Sequence, residues 1–273
     1  MPRPSVYLAP LTLTLAAALA TPSTSNAAPP TAAASASTSA DAIVARALAR
    51  DALGLEGGHA TVTLNITNDD GSTESKTLEI WSRKKDGLLQ SRITFRAPAK
   101  LAGMSFLLLQ RRGQTDEQYV YLPSFKKSRR VTAAERTTAF AGSDFTYADL
   151  EHRETVDATY TRLADDTIDG KSCAVVDAVP TASAASAYKH VKLWLRASDD
   201  APVKTEFYGA DGGLEKTLVA RAVEPVEGRS IVTKSRLERA GSKRATEIVV
   251  DKASFKETLA DALFTVGSLD SGG

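Results

Sequence analysis

From residue 61 onward, apolar side chains recur at every second position, and that alternation restricts the chain to an antiparallel β-architecture. In "TVTLNIT" Val62, Leu64 and Ile66 share one face, and "NDDG" supplies a turn before "TLEIWS". In "LLQSRITFR" Leu89, Ile93 and Phe95 lie opposite Gln90, Arg92 and Arg96. "MSFLLLQ" is nearly all apolar, which predicts a strand covered on both sides, and "QYVYLP" ends at Pro123. The rhythm resumes in "DATYTRL", "CAVVDAV", "HVKLWLRA", "VKTEFYG", "KTLVARAV", "SIVTKSRLE" and "TEIVVD". That makes about eleven or twelve short strands, the pattern of a mainly β sandwich or barrel. Two helical segments flank them. "AIVARALARDALGL" after Asp41 is amphipathic and stops at "GLEGG", and "SFKETLADALF" is expected to close the chain with one short helix.

The first residues follow different rules. Arg3, an apolar run from Tyr7 to Ala20 and the small residues Ser25-Asn26-Ala27 predict a secretory signal peptide over residues 1–27. Residues 28–40, "APPTAAASASTSA", form a low-complexity leader expected to act as a tether, and residues 41–273 are expected to be one domain. Cleavage leaves about 246 residues, enough to bury a core without disulfides, which the single Cys173 cannot form within the chain. The sequence has 34 Lys and Arg against 33 Asp and Glu, and losing Arg3 balances them. Balanced charge argues against a nucleic-acid binder. No later segment approaches ~20 consecutive apolar residues, so the mature chain is not expected to span a bilayer.

Only residues 123–152 break the strand rhythm. Thr132 and Glu135 in "TAAE", then Thr146 and Asp149 in "TYAD", have capping-box spacing, in which hydroxyl and carboxylate satisfy backbone N–H groups at a helix start. Two short helices follow, near 133–139 and 147–151, joined by "FAGSDF" with Gly142 at the joint. On this reading Glu135 and Asp149 are caps, and Phe140, Phe145, Tyr147 and Leu150 form the apolar face of a small flap. That face must be buried, and the barrel mouth offers the place; a flap over an opening suggests gating.

The stretch from "YLPSFKKSRR" to "FAGSDFTYADL" resembles the family of outer-membrane lipoprotein-sorting proteins. The family pattern is Tyr-Leu-Pro, a basic cluster, then Phe-x-Gly-[Ser/Thr]-Asp-Phe-x-Tyr-x-Asp-Leu. Here Tyr121, Leu122 and Pro123 are followed by Lys126, Lys127, Arg129 and Arg130. Phe140, Gly142, Ser143, Asp144, Phe145, Tyr147, Asp149 and Leu150 complete it, and Ala141 departs from the bulky Met common at that position. The resemblance extends over roughly residues 41–266. It implies a LolA/LolB-like half-open antiparallel β-barrel with a short helical lid, an N-terminal helix and a hydrophobic cavity. It further implies a periplasmic carrier of lipoprotein or lipid acyl chains in a Gram-negative bacterium. Such a carrier would work as a monomer, between an inner-membrane transporter and an outer-membrane acceptor. Longer relatives are associated instead with lipid exporters of the RND/MMPL kind, so an accessory module of such an exporter is the alternative.

A carrier of this kind needs an apolar pocket and no catalytic group. Shielding a chain of ~16 carbons is worth on the order of 12 kcal/mol. Candidates for the lining are Trp81, Phe95, Phe106, Leu108, Tyr119, Tyr121, Phe140, Phe145 and Trp194, although aromatics at strand alternation also serve as plain core. Lys126, Lys127, Arg129 and Arg130 read either as a solvated turn or as a patch for an anionic head group or acidic partner. Catalysis is not expected. His59, His152 and His190 show no metal-ligand spacing with each other or with Cys173, and there is neither a G-x-S-x-G nor a Gly-rich phosphate loop. No cofactor is implied.

Overall fold

In the computed structural model, residues 38–49, 55–151, 157–184 and 186–271 are described, and from Thr38 onward the chain forms one compact unit. The expected signal peptide, the leader up to residue 37, and His152 lie outside the described residues. Helix α1 spans Ala40–Leu48, and it is Ser39 that caps it, by accepting from the Ala42 amide at 3.3 Å. Asp41 falls within the first turn, where a negative charge complements the helix dipole.

Fourteen strands follow. β1 (Gly58–Thr67), β2 (Thr73–Lys85), β3 (Leu88–Ala97), β4 (Ser105–Leu109), β5 (Glu117–Leu122) and β6 (Lys127–Arg130) form one meander. β7 (Ala158–Arg162), β8 (Asp166–Ile168), β9 (Lys171–Pro180), β10 (His190–Arg196), β11 (Pro202–Tyr208), β12 (Leu214–Val226), β13 (Arg229–Arg239) and β14 (Ala245–Ser254) form the second. β6 and β8 exceed the sequence expectation. Neither has apolar alternation, and each exists through antiparallel pairing, β6 with β5 and β8 with β9. The C-terminal helix also lies later than expected. β14 runs on to Ser254, "ADALF" ends in a single 3₁₀ turn at Asp261–Phe264, and α2 occupies Val266–Asp270.

All fourteen strands belong to one antiparallel sheet that does not close. Its order is β6-β5-β4-β3-β2-β1-β14-β13-β12-β11-β10-β9-β7, with β8 also on β9. The two meanders are therefore joined by β1 against β14, and the free edges are β6 at one end and β7 at the other. These edge strands are consecutive in the chain, and the described residues 131–151 lie between them. That is why the strand rhythm breaks there. The half-open barrel expected from the resemblance is the observed architecture, and among the described residues no helix is long and apolar enough to cross a membrane.

Alternation along the strands sorts side chains between two faces. Ile80, Ile93, Phe106 and Val120 are cross-strand partners on the face that the 131–151 segment covers. Trp81, Arg92, Leu107 and Tyr119 are partners on the other face, where Phe264 and Leu269 of the C-terminal segment pack. α1 lies against β9 and β10, with Ile43 and Val44 buried beside Val176 and Leu195.

Candidate functional site

The 131–151 segment is a lid made of short 3₁₀ turns, Ala133–Glu135, Phe140–Gly142 and Tyr147–Leu150. The expected helix over 133–139 shrinks to its first turn because the chain folds back on itself. Ala139 and Thr146 form a β-bridge, and the Phe140 amide donates to the Phe145 carbonyl at 2.7 Å. At the point of reversal Ala141 has φ 50° and Gly142 φ 74°; only the glycine occupies that left-handed conformation without strain.

Both capping spacings produce the carboxylate-to-backbone bond that they predict. The Glu135 carboxylate accepts from the Thr132 amide at 2.9 Å and from its hydroxyl at 3.0 Å, and it pairs with Arg129 at 2.8 Å. The Arg129 guanidinium, then the Thr132 contacts, hold the Glu135 carboxyl down to about 2. In the second box the Thr146 amide donates to Asp149 at 2.6 Å, and the Asp149 amide donates to the Thr146 hydroxyl at 3.2 Å.

The acids also fasten the lid to the sheet. Asp149 receives Lys216 of β12 at 2.5 Å and the Tyr188 hydroxyl at 2.7 Å. Burial, then the adjacent Asp149 charge, pushes the Tyr188 phenol well above its ordinary value and keeps it a donor. Asp144 receives Arg244 at 3.0 Å and the hydroxyl of buried Thr246 of β14 at 2.8 Å. The reversal itself is held through its carbonyls: Lys76 of β2 donates to Ala141 at 2.7 Å and Arg244 to Gly142 at 3.1 Å. From β5, Gln118 donates to the Tyr147 carbonyl at 3.0 Å and to Glu151 at 3.1 Å, and within the lid Arg136 pairs with Glu151.

Sequence reasoning missed these anchors, Lys76, Gln118, Arg136, Glu151, Tyr188, Lys216, Arg244 and Thr246. One signal was available. Lys76 alternates in step with Leu78 and Ile80, and Lys216 in step with Leu218, so each cation occupies a register position shared with apolar residues.

Under the lid lies an aromatic cluster. Phe140 is 2% exposed, and its ring centroid stands 5.8 Å from Phe95, 5.4 Å from Phe106 and 5.5 Å from Tyr147. Leu108 belongs to the same cluster, and Phe145 and Leu150 pack at its margin. Five of the nine candidate lining residues are therefore gathered here: Phe95, Phe106, Leu108, Phe140 and Phe145. The other four face elsewhere. Trp81, Tyr119 and Tyr121 pack beneath the C-terminal segment, and Trp194 stands with Cys173, Val175 and Val203. Alternation explains this division: Trp81, Tyr119 and Tyr121 are each one position out of step with Ile80, Val120 and Phe106 or their cross-strand partners. Of the basic cluster, Lys126, Lys127, Arg129 and Arg130 are all exposed on and beside β6.

A family model described as an uncharacterized protein matches residues 87–271. Three solved structures share the fold. A domain described as an outer-membrane lipoprotein-sorting protein from Vibrio parahaemolyticus aligns at TM-score 0.76 and 23% identity, covering 82% of this chain and 95% of its own. A DUF1329 family protein from Desulfovibrio piger aligns at 0.74 and 24%, covering 78% and 90%. A LolA superfamily protein from Nitrosomonas europaea aligns at 0.65 and 22%, covering 84% and 98%. These likenesses give the chain a LolA-like fold. No curated protein matches the sequence.

Proposed function

We propose, from the premise that the chain belongs to the uncharacterized-protein family matched over residues 87–271 and has a LolA-like fold, that it is a carrier of acyl chains. It shields the chains of lipoproteins or lipids while they cross the periplasm of a Gram-negative cell towards the outer membrane. A transporter in the inner membrane loads it, an acceptor at the outer membrane unloads it, and it acts as a monomer without catalysis.

The observation that carries this reading is the composition of the lid. Its inner side is aromatic and its attachment is polar. Phe140 rests in an apolar cluster on an unclosed sheet, while Asp144 and Asp149 hold the segment to the sheet through ion pairs and Glu151 through a hydrogen bond from Gln118. Ion pairs can be exchanged for water without refolding the sheet, so the lid is detachable where a continuous strand would not be. An acyl chain taking the place of Phe140 and Tyr147 would keep the cluster covered, each methylene contributing about 0.8 kcal/mol.

The close packing of Phe140 also favours a second reading, an accessory module of an RND/MMPL-type exporter whose interior stays filled by its own side chains. Native mass spectrometry and lipid extraction of protein taken from periplasm separate the two. The carrier reading expects a co-purifying acyl species and uptake of a fluorescent fatty acid. Absence of both sinks it and leaves the module.

A further inference from the structure

The tip of the β5–β6 hairpin is built against the usual logic of a soluble surface. Phe125 is 76% exposed, more than any other large apolar side chain among the described residues. It does not dangle from a loose loop. The Phe125 amide donates to the Leu122 carbonyl at 3.0 Å and the Lys126 amide to the Pro123 carbonyl at 3.2 Å, which makes the tip an ordered turn. Exposed Lys126 and Lys127 follow Phe125 directly, and exposed Arg129 and Arg130 complete the strand.

Edge protection explains the cations, because β6 is a free edge and charge on a short edge strand blocks pairing with another chain. It does not explain the phenylalanine, which works against that purpose. Two acids lie near. Glu135 is engaged by Arg129, and Asp270 accepts from the Ser128 amide at 2.6 Å. Among the described residues Lys126, Lys127 and Arg130 have no ion-pair partner.

We infer that Phe125 and its flanking cations dock the protein on an anionic lipid surface, the ring entering the boundary between head groups and acyl chains while Lys126, Lys127 and Arg130 meet lipid phosphates. Aromatic rings settle at that depth, and basic residues beside them add attraction to anionic lipid. A convex turn with one projecting ring suits a deformable surface. The position also fits delivery, since β6 ends at Arg130 and the lid turn is capped at Thr132, so the docked tip and the lid are adjacent in the chain. Docking goes beyond the carrier reading and would hold for the exporter module as well.

The test is co-sedimentation of the full chain with vesicles of phosphatidylcholine alone and of phosphatidylcholine with an equal part of phosphatidylglycerol. Binding is expected only to the anionic vesicles, weakening as salt rises. Phe125→Ser is expected to lower partition by about tenfold. Each of Lys126→Gln and Lys127→Gln is expected to lower it about fivefold. All three sites are exposed, and unchanged circular dichroism checks that the sheet is intact. Phe125→Trp should report a blue-shifted emission with anionic vesicles, above the background of Trp81 and Trp194. Equal binding by parent and variants overturns the inference. So does a parent that binds neither vesicle, which would assign the tip to a protein or to a second copy of the chain. Fatty-acid uptake measured on the same variants keeps the readings apart: lost docking with retained uptake is expected, and lost uptake with retained docking would count against both the inference and the role given to the tip.

Discussion

Asp149 of the lid and Lys216 of β12 meet at 2.5 Å with both side chains 4% exposed, 67 residues apart in the chain. Lys216 also lies 5.2 Å from the centre of the Tyr188 ring and 5.1 Å from that of Phe207, so a charge removed from water is lodged between aromatics. Removing one member of such a pair strands the other. Lys216→Met and Asp149→Asn are each expected to cost about 3–5 kcal/mol in denaturant unfolding, with the double variant recovering part of the loss. Strictly additive losses would mean that the pair does not couple lid to sheet.

Phe140→Ala should open a void beside Phe95 and Phe106 and cost about 3–5 kcal/mol. If Phe140 fastens the lid, hydrogen exchange at the amides of Ser143 and Phe145, both bonded within the reversal, should quicken more than exchange in β1 or β14. A uniform increase would make Phe140 ordinary core.

Phe145 packs at the margin of the same cluster. Phe145→Asp is expected to shorten retention of a fluorescent fatty acid while leaving the circular dichroism of the sheet unchanged. Unaltered retention would put the bound chain elsewhere.

Trp81 supplies the matching control. It faces the C-terminal segment, so Trp81→Ala should lower the melting temperature yet leave fatty-acid uptake as it was. Lost uptake in a folded Trp81→Ala protein would mean that the site lies on the other face.

Two titrations act on the lid in opposite directions. Glu135 is held down to about 2, so its contribution is complete above the ordinary carboxylate range and fades as pH falls towards that value. The Thr132 amide, which donates to Glu135, should shift in NMR spectra across this acid window, with no matching event near neutrality. Tyr188 is raised chiefly by burial. Its contribution is complete below the ordinary phenol value near 10 and is lost as pH climbs beyond it, and Tyr188→Phe should flatten that alkaline decline in stability.

The strands that alternate were legible because period two is a local property, and β1, β3 and β10 lie where Val62, Phe95 and Leu193 predict them. β6 and β8 were not, because "KSRR" and "DTI" have no apolar period and pair only because β5 and β9 offer partners. Among candidate lining residues, chemistry picked out the aromatics, but a single aromatic does not state its face. Phe106 and Tyr119 look alike in composition. They part company because Phe106 pairs with Val120 and Tyr119 pairs with Leu107.

By itself the sequence determined the all-antiparallel character, the site of the interruption and its two capped turns, since strand period, Gly142 and Thr-x-x-acid spacing act over a few residues. The tertiary structure alone decided that the interruption lies between the two edge strands of one sheet, and which distant groups hold it. Lys76 reaches Ala141 across 65 positions, and Thr246 reaches Asp144 across 102. Those meetings depend on the register of β2, β12 and β14 within one open sheet, and a one-residue slip would turn Lys76 and Lys216 to the opposite face.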